Sequence, residues 1–264
     1  MKTKIIAFVN QKGGVAKTTT CMNVGAGLAN AGRKVLLVDL DPQASLSISM
    51  GVVQIDEKDP TLYEVLKGKA DINDVIGVND APKPYCLLPT DIRLSAAEIE
   101  LVSEPGRDMI LKNALEAINP DKARFDYILI DCPPSLNILT IMGLAACTEV
   151  IIPIQTQYLA LNGMAQLIDT ISTIRKRINP RIMIGGVVAT FYDDRKLLDR
   201  EVLEAVNDAF PNMVFNTKIS NNVALAEAPS HKQDIFQYKP TSKGAKQYKA
   251  LVKEIMAKEG RIKA

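Results

Sequence analysis

The chain has no tryptophan, one histidine and only 5% aromatic residues among its 264 residues. No apolar run approaches the ~18–20 residues that a membrane-spanning helix needs. We expect the one histidine, His231, to be structural, because no nucleophile or metal-ligand pattern surrounds it. The formal net charge is only +2, so contact with nucleic acid would require a local basic patch.

Cysteine is also scarce, and its spacing is neither paired nor metal-like. The four residues are Cys21, Cys86, Cys132 and Cys147. We expect buried, reduced thiols in a cytoplasmic protein. The first predicted strand begins almost at the N-terminus, which leaves no room for a signal peptide or for a preceding helix-turn-helix module.

A glycine-rich segment after the first apolar run is typical of a phosphate-binding loop. It reads Asn10-Gln11-Lys12-Gly13-Gly14-Val15-Ala16-Lys17-Thr18-Thr19-Thr20. The pattern G-x-x-x-x-G-K-[ST] is not met, because Gln11 and Ala16 occupy both glycine positions. The deviant pattern K-G-G-x-G-K-[ST] fits with one departure, Ala16. A strand, a glycine-rich turn and a helix N-terminus together direct N–H groups and partial positive charge at a phosphate.

Each position of this loop predicts a contact with a nucleotide. Lys17 would reach the β- and γ-phosphate oxygens, and the Thr18 hydroxyl would complete a Mg²⁺ shell. Gly13 and Gly14 allow close approach of the phosphates. If the Ala16 position needs a positive φ, alanine costs on the order of 1 kcal/mol relative to glycine.

Carboxylates end two of the predicted strands. Asp39 and Asp41 are two residues apart, so in a strand their side chains point to the same face. At the end of a parallel strand, one carboxylate can hold a metal-bound water while the other orients the attacking water. Asp131 is predicted to contact Mg²⁺ through water. The alternative for each is a turn or a helix cap, which we would favour if the phosphate loop were absent.

Four segments, in this order, resemble the ParA/MinD family of deviant Walker A (SIMIBI-class) ATPases, and most closely its short ParA/Soj partition branch. They are Lys12–Thr19, Val38–Gln43, Asp126–Pro134 and Glu227–His231, followed by a basic helix. The resemblance implies that Lys12 crosses a dimer interface to the partner's nucleotide and, with Asp41, acts in catalysis. It implies Thr18, Asp39 and Asp131 as the metal site, and Asn222 as a contact to adenine. The implied nucleotide-binding set is completed by Gly13, Gly14, Val15, Ala16, Lys17 and Thr19.

The resemblance also implies a function and partners. An ATP-bound homodimer would bind DNA without sequence preference, and slow ATP hydrolysis to ADP and phosphate would release it. A ParB-like centromere-binding protein would stimulate that hydrolysis. ATP and Mg²⁺ are the implied cofactors, and the implied location is the cytoplasm, in association with the nucleoid.

The implied DNA face is only partly present. By resemblance Arg195 contacts DNA, but a second basic position falls on neutral Ala224, next to neutral Asn221. Each lost phosphate contact should reduce, by about one unit, the salt slope, which is the slope of the logarithm of the DNA-binding constant against the logarithm of the salt concentration. Further lysines are candidates to compensate, namely Lys196, Lys218, Lys246 and Lys249.

Continuous Val-, Ile- and Leu-rich runs with helical segments between them predict an α/β fold, with a mostly parallel twisted sheet covered by helices on both faces. The predicted strands are Ile5–Val9, Val35–Val38, Tyr127–Ile130, Val150–Ile154, Met183–Ala189 and a weaker Met213–Ile219. The predicted helices are Thr18–Ala31, Asp108–Ile118, Leu136–Ala146, Leu159–Arg177, Leu197–Ala209 and Ser242–Lys258, with Gly32 and Gly260 as helix stops. We expect Gly51–Asp91 to be a helical excursion. The chain is then one domain, 1–264, with a basic helix at about 242–259.

Four alternative functions are considered. A MinD-like ATPase could attach to a membrane through an amphipathic C-terminal helix, although that helix lacks Trp and Phe and docking onto the sheet is favoured. An ATPase of this kind could also position a protein cargo. An iron–sulfur reductase or a small-molecule ligase is disfavoured, because Cys132 is badly placed for a shared cluster and no substrate motif is present.

Overall fold

A six-stranded parallel sheet forms the centre of the computed structural model, which describes residues 3–52, 56, 58–77, 85–157 and 160–261. The strands, in chain order, are β1 Lys4–Phe8, β2 Val35–Asp39, β3 Cys86–Leu88, β4 Tyr127–Asp131, β5 Glu149–Gln155 and β6 Met183–Thr190. Their order across the sheet is β3-β2-β4-β1-β5-β6, and every paired strand is parallel to its neighbour. The predicted fold class is therefore confirmed.

Helices connect the strands. They are α1 Lys17–Asn30, α2 Ser45–Ser49, α3 Leu62–Leu66, α4 Ile72–Val75, α5 Leu94–Glu100, α6 Ile110–Glu116, α7 Ile138–Ala146, α8 Ala160–Arg177, α9 Leu197–Ala209, α10 Val223–Glu227, α11 Ile235–Tyr238 and α12 Lys243–Arg261. Two 3₁₀ turns, Arg107–Met109 and Ala228–His231, lie among them.

Alternation along the strands divides the core into two apolar clusters, one on each face of the sheet. On β2, Leu36 and Val38 face one cluster, and Val35 and Leu37 face the other. The first cluster is covered by helices that include α7 and α8, and the second by helices that include α1 and α12. Both faces are buried, which explains why the strands are continuously apolar.

One predicted strand is wrong and one strand was missed. The Met213–Ile219 run makes only a single bridge, between Val187 and Val214. The ladder stops there because the next two N–H groups, of Asn216 and Thr217, donate to the Glu254 carboxylate at 2.9 and 2.7 Å. Strand β3 lies inside the stretch that we predicted to be a helical excursion, and its three residues are too few for a periodic signal.

The C-terminal helix α12 docks its apolar stripe onto the protein. Tyr248, Leu251, Val252 and Ile255 are buried in the second cluster, as the docking interpretation predicts. The approach to α1 is close, since a Cβ on Gly27 would lie 2.7 Å from Val252 Cγ2. The stripe is thus not free for a bilayer. No described helix combines the length and apolarity needed to cross a membrane.

The helix stops differ at the two glycines. Gly32 follows α1 with φ +81°, a conformation that favours glycine, as predicted. Gly260 does not end α12, which continues to Arg261, so that prediction is wrong. A glycine inside a helix costs only about 1 kcal/mol relative to alanine, which does not force termination.

Candidate nucleotide site

The glycine-rich segment forms the turn between β1 and α1, at the carboxyl edge of the sheet. Gly14 has φ +71°, and Ala16, the residue before α1, lies in the left-handed region at φ 62° and ψ 35°. Buried Val15 fixes the turn from within, because its carbonyl accepts a hydrogen bond from the Thr190 hydroxyl at 3.1 Å. The turn therefore has the strand–turn–helix context that a phosphate loop requires.

Replacing Ala16 by glycine should leave the affinity for ATP within about twofold of the parent protein. Glycine relieves a left-handed alanine by ~1 kcal/mol, and the greater freedom of the unfolded chain offsets a similar amount. Nucleotide titration and thermal unfolding measure both effects. Ala31→Gly, at an ordinary φ of −87° after α1, is the control and should only destabilise. A large loss of ATP affinity in Ala16→Gly would contradict the loop geometry.

Lys17 opens α1 with its side chain almost enclosed. The residue is 7% exposed, and its ammonium donates to the Lys12 carbonyl at 3.3 Å. Burial lowers the pKa of Lys17, while the nearby Asp131 and Asp41 carboxylates act in the opposite direction. A cation enclosed beside two carboxylates, at the base of a phosphate loop, is placed to bind anionic oxygens.

Two of the predicted carboxylates end neighbouring strands. Asp39 of β2 pairs in register with Asp131 of β4, and both are almost fully buried. Asp39 is held by Ser47, whose N–H and hydroxyl each donate to it at 2.7 Å. Burial raises the pKa of Asp39 to about 7, although the Ser47 hydrogen bonds oppose the rise.

Asp131 differs from Asp39 because its oxygens lack partners. Both are buried, and no described residue hydrogen-bonds to either with good geometry. Burial and the Asp39 carboxylate raise the pKa of Asp131 well above its ordinary value; the nearby Thr18 hydroxyl and the Lys17 ammonium counteract only part of the rise. A buried acceptor left unsatisfied costs about 1–3 kcal/mol or more. A hydrated divalent cation would supply both the charge and the hydrogen bonds that this site lacks, so the residues fit Mg²⁺.

The remaining predicted loop and acidic residues lie at the accessible side of the site. Thr18 and Thr19 are half-buried at the start of α1. Asp41 is half-buried; its N–H donates to Asp39 Oδ1 at 3.3 Å, and its Oδ1 accepts from the Gln43 N–H at 3.0 Å. Asp41 is therefore linked to the buried carboxylates and also open to a bound molecule.

Lys12 differs from Lys17, whose ammonium is buried. It is exposed, as are Gly13 and Gly14, and its ammonium contacts the amide oxygen of Gln157 in the same protomer. Its N–H donates to Asn10 Oδ1 at 3.0 Å, which fixes the backbone but leaves the side chain at the surface. Its contact with a partner's nucleotide stays a prediction.

Sequence reasoning missed three residues that brace the site. Asn10 donates to the Pro153 carbonyl at 2.7 Å, and Thr190 donates to both Val15 and Ile154 carbonyls, which ties the loop to β5 and β6. Ser47 holds Asp39 and also accepts from the Thr90 N–H at 3.1 Å. The partners of Asn10 and Thr190 are distant in sequence, and Ser47 reaches Asp39 eight residues earlier and Thr90 far along the chain, so no motif marks these residues.

Asn222 lies before α10 and caps it. Its side-chain oxygen accepts from the Ala224 N–H at 2.9 Å, an ordinary N-cap that commits one of its two polar atoms. Ala224 is buried, whereas Val223 is 71% exposed. The interpretation of Ala224 as a lost phosphate contact stays a prediction.

The four candidate DNA-contacting residues are all exposed. Arg195 and Lys196 lie between β6 and α9, and Lys246 and Lys249 lie on α12. One connecting segment joins the two groups, because Tyr192 N–H donates to the Ile219 carbonyl and Ser220 N–H donates to the Gln247 side chain. Arg195 is not a free cation, since it pairs with Asp193.

Cys132 is fully buried beside α7, where a Cβ on Gly143 would lie 2.9 Å from its sulfur. A thiol enclosed in this way does not reach a surface where a second subunit could share a cluster. The reductase alternative therefore loses its candidate ligand.

Comparison with known proteins agrees with this geometry. The model of a family described as an AAA domain matches residues 3–184. The chromosome-partitioning ATPase Soj of Treponema pallidum is 45% identical over 257 residues, which are 97% of this chain and 98% of that protein. The chromosome partitioning protein ParA of Caulobacter vibrioides is 40% identical over 97% of this chain and 95% of its own.

A solved structure shares the fold. It is a cobyrinic acid a,c-diamide synthase from Mycobacterium smegmatis with bound ATP analogue and magnesium. It superimposes with a TM-score of 0.84 at 37% identity, over 98% of this chain and 96% of that one. The parallel sheet, the phosphate loop and the acidic strand ends define a P-loop ATPase. Within that class the chain belongs to the ParA/MinD family, and proteins named Soj and ParA are its relatives over nearly the full length.

Proposed function

We propose that the protein is a Mg-ATP-dependent dimerising ATPase of DNA partition. The ATP-bound dimer holds DNA without sequence preference, and slow hydrolysis releases it. The observation that carries the nucleotide chemistry is the buried pair Asp39 and Asp131 beside Lys17, with both Asp131 oxygens unsatisfied. The full-length relatives named for chromosome partition support the cellular role.

The residues of the loop hold the nucleotide. Lys17 binds the β- and γ-phosphate oxygens, and the backbone from Gly13 to Thr19 surrounds them. Thr18, Asp39 and Asp131 would hold Mg²⁺. The cation, when bound, neutralises charge on the phosphates. Ser47 holds the Asp39 carboxylate in place through two hydrogen bonds.

Two residues at the accessible side of the site serve the hydrolytic step. Asp41 positions the attacking water, because it is half-buried and tied to Asp39 by its own N–H. Lys12 leaves Gln157 and crosses to the partner's nucleotide, where its charge stabilises the transition state. Hydrolysis then requires two protomers. Asn222 contacts the adenine with the amide nitrogen that its capping bond leaves available.

Four cations form the DNA face, namely Arg195, Lys196, Lys246 and Lys249. The connection through Ile219 and Ser220 supports a shared surface for the two groups. A net charge of +2 makes such a local patch necessary. The stimulating partner is a ParB-like centromere-binding protein, and the location is the cytoplasm, on the nucleoid.

Duplex DNA binding tests the proposal directly. We expect binding with Mg-ATP, little with ADP or without nucleotide, and a steep loss of affinity with salt. Arg195→Ala should weaken binding to all sequences and reduce the salt slope by about one unit per bound protomer. Arg177→Ala, which removes an exposed charge from the end of α8, is the control. Equal affinity for DNA with Mg-ATP, with ADP and without nucleotide would contradict the proposal.

One observation favours a second function. The structural relative at 37% identity is named a cobyrinic acid a,c-diamide synthase, and its structure holds an ATP analogue and magnesium. ATP turnover stimulated by a small carboxylic acid and not by DNA would favour that function. Binding to anionic vesicles in place of DNA would favour the membrane alternative.

A further inference from the structure

Arg195, the exposed arginine of the proposed DNA face, is engaged by a carboxylate two residues earlier. Its Nε donates to Asp193 Oδ1 at 2.9 Å, and its Nη2 donates to Asp193 Oδ2 at 2.8 Å. This is the bidentate geometry in which a guanidinium also binds a phosphate. The Arg195 side chain is 85% exposed and that of Asp193 25% exposed, so the arginine is accessible while its partner is recessed.

Asp193 is held firmly in place. Its Oδ1 also accepts from the Arg195 N–H at 3.1 Å, and its own N–H donates to the buried Asp199 carboxylate at 2.8 Å. The arginine lowers the pKa of Asp193, so the carboxylate is charged at neutral pH. The charges of Asp193 and Arg195 sum to zero, and Asp194 adds a negative charge next to the pair.

We propose that Asp193 is an intramolecular competitor of DNA phosphate for Arg195. This inference rests on the proposed function. A phosphate that binds Arg195 through the same edge must displace Asp193, because the carboxylate occupies the Nε and Nη2 donors that the phosphate would use. Asp193 therefore sets how tightly the face holds DNA, and keeps it weaker than its count of cations indicates.

Asp194 offers a matched control. It is the adjacent residue, carries the same charge and is exposed, but in the described part of the chain its carboxylate forms no ion pair with Arg195, which pairs with Asp193. Asp193→Asn and Asp194→Asn change the net charge equally, so a general electrostatic gain is common to both. Asparagine at 193 can still accept the Arg195 N–H, which preserves the turn.

The experiment measures the affinity of the Mg-ATP form of the full chain for random-sequence duplex DNA, with thermal unfolding as a check on folding. We expect Asp193→Asn to bind about two- to fivefold more tightly than Asp194→Asn, the range that exposed ion pairs support. In an Arg195→Ala background this excess should vanish. Asp193→Ser, which also removes the charge, should reproduce the gain.

Equal affinities of Asp193→Asn and Asp194→Asn would overturn the competition, and so would weaker binding by Asp193→Asn, since Asp193 would then orient the arginine. Either result, together with weaker binding by Arg195→Ala, leaves the proposed partition function intact. Failure of the unsubstituted protein to bind DNA with Mg-ATP would overturn both proposals.

Discussion

ATP turnover by Lys12→Ala is expected to fall by about a thousandfold, while its affinity for ATP stays close to that of the parent protein. We expect a loss of this size because a cation that a second subunit supplies to a transferring phosphoryl group raises the rate by roughly 10³–10⁵. Affinity is retained because Lys17, not Lys12, lies enclosed at the base of the loop. Lys12 is exposed, so its removal should change the free energy of unfolding by less than about 0.5 kcal/mol.

Single-turnover hydrolysis and nucleotide titration separate the two effects of Lys12→Ala. Lys34→Ala, an exposed lysine at the amino edge of the sheet, is the matched control and should behave like the parent. A parallel loss of ATP affinity and turnover in Lys12→Ala would place Lys12 in the nucleotide cradle of its own protomer and contradict the account.

Asp131→Asn should stabilise the nucleotide-free protein and remove most of the stabilisation by Mg-ATP. The substitution takes one of two neighbouring buried carboxylates out of the core, where neither Asp131 oxygen has a partner. We expect a gain of ~1–4 kcal/mol at pH 8. The parent should gain about 2.7 kcal/mol at a Mg-ATP concentration 100-fold above its dissociation constant, and the variant should lose nearly all of it.

The gain in Asp131→Asn should depend on pH with a definite sign. Burial raises the pKa of both carboxylates in the folded state, so the folded protein binds more protons than the unfolded chain. The free energy of unfolding from these groups therefore falls as the pH rises from about 4 through 7, the raised pKa of Asp39. The difference between variant and parent should be near zero at pH 4 and grow upward from there.

Urea unfolding at several pH values measures that difference. Asp126→Asn is the control, because Asp126 precedes the same strand at its other end and accepts from the Lys34 N–H at 2.9 Å. It should show no comparable growth with pH. If Asp131→Asn had a lower free energy of unfolding than the parent at pH 8, the two buried carboxylates would not destabilise each other, and the account of the site would be wrong.

Much of the fold follows from local pattern. Continuous apolar runs gave five of the strands, because a sheet buried on both faces needs no alternation. The Met213–Ile219 run is equally apolar at its start, but Glu254, far along the chain, takes its N–H groups. Strand β3 has only three residues, too few for its periodicity to be recognised in the sequence.

The site was predictable where motif and position coincide. The residues from Lys12 to Thr19, with Asp39, Asp41 and Asp131, lie at one edge of the sheet as the strand-end rule predicts. The sequence raised a positive φ at Ala16 only as one possibility, and in the structure Ala16 does have a positive φ. Asn10 and Thr190 act across long sequence separations, and so does the contact of Ser47 with Thr90. The ion pair that engages Arg195 depends on the turn geometry, so spacing alone does not reveal these contacts.

ATP hydrolysis per molecule, measured against protein concentration at saturating Mg-ATP, tests the trans role of Lys12 most directly. We predict a rate per molecule that rises with concentration and reaches a plateau as sedimentation shows the dimer form, and a rate near background for Lys12→Ala at every concentration. A constant rate per molecule, at concentrations where only monomer sediments, would contradict it.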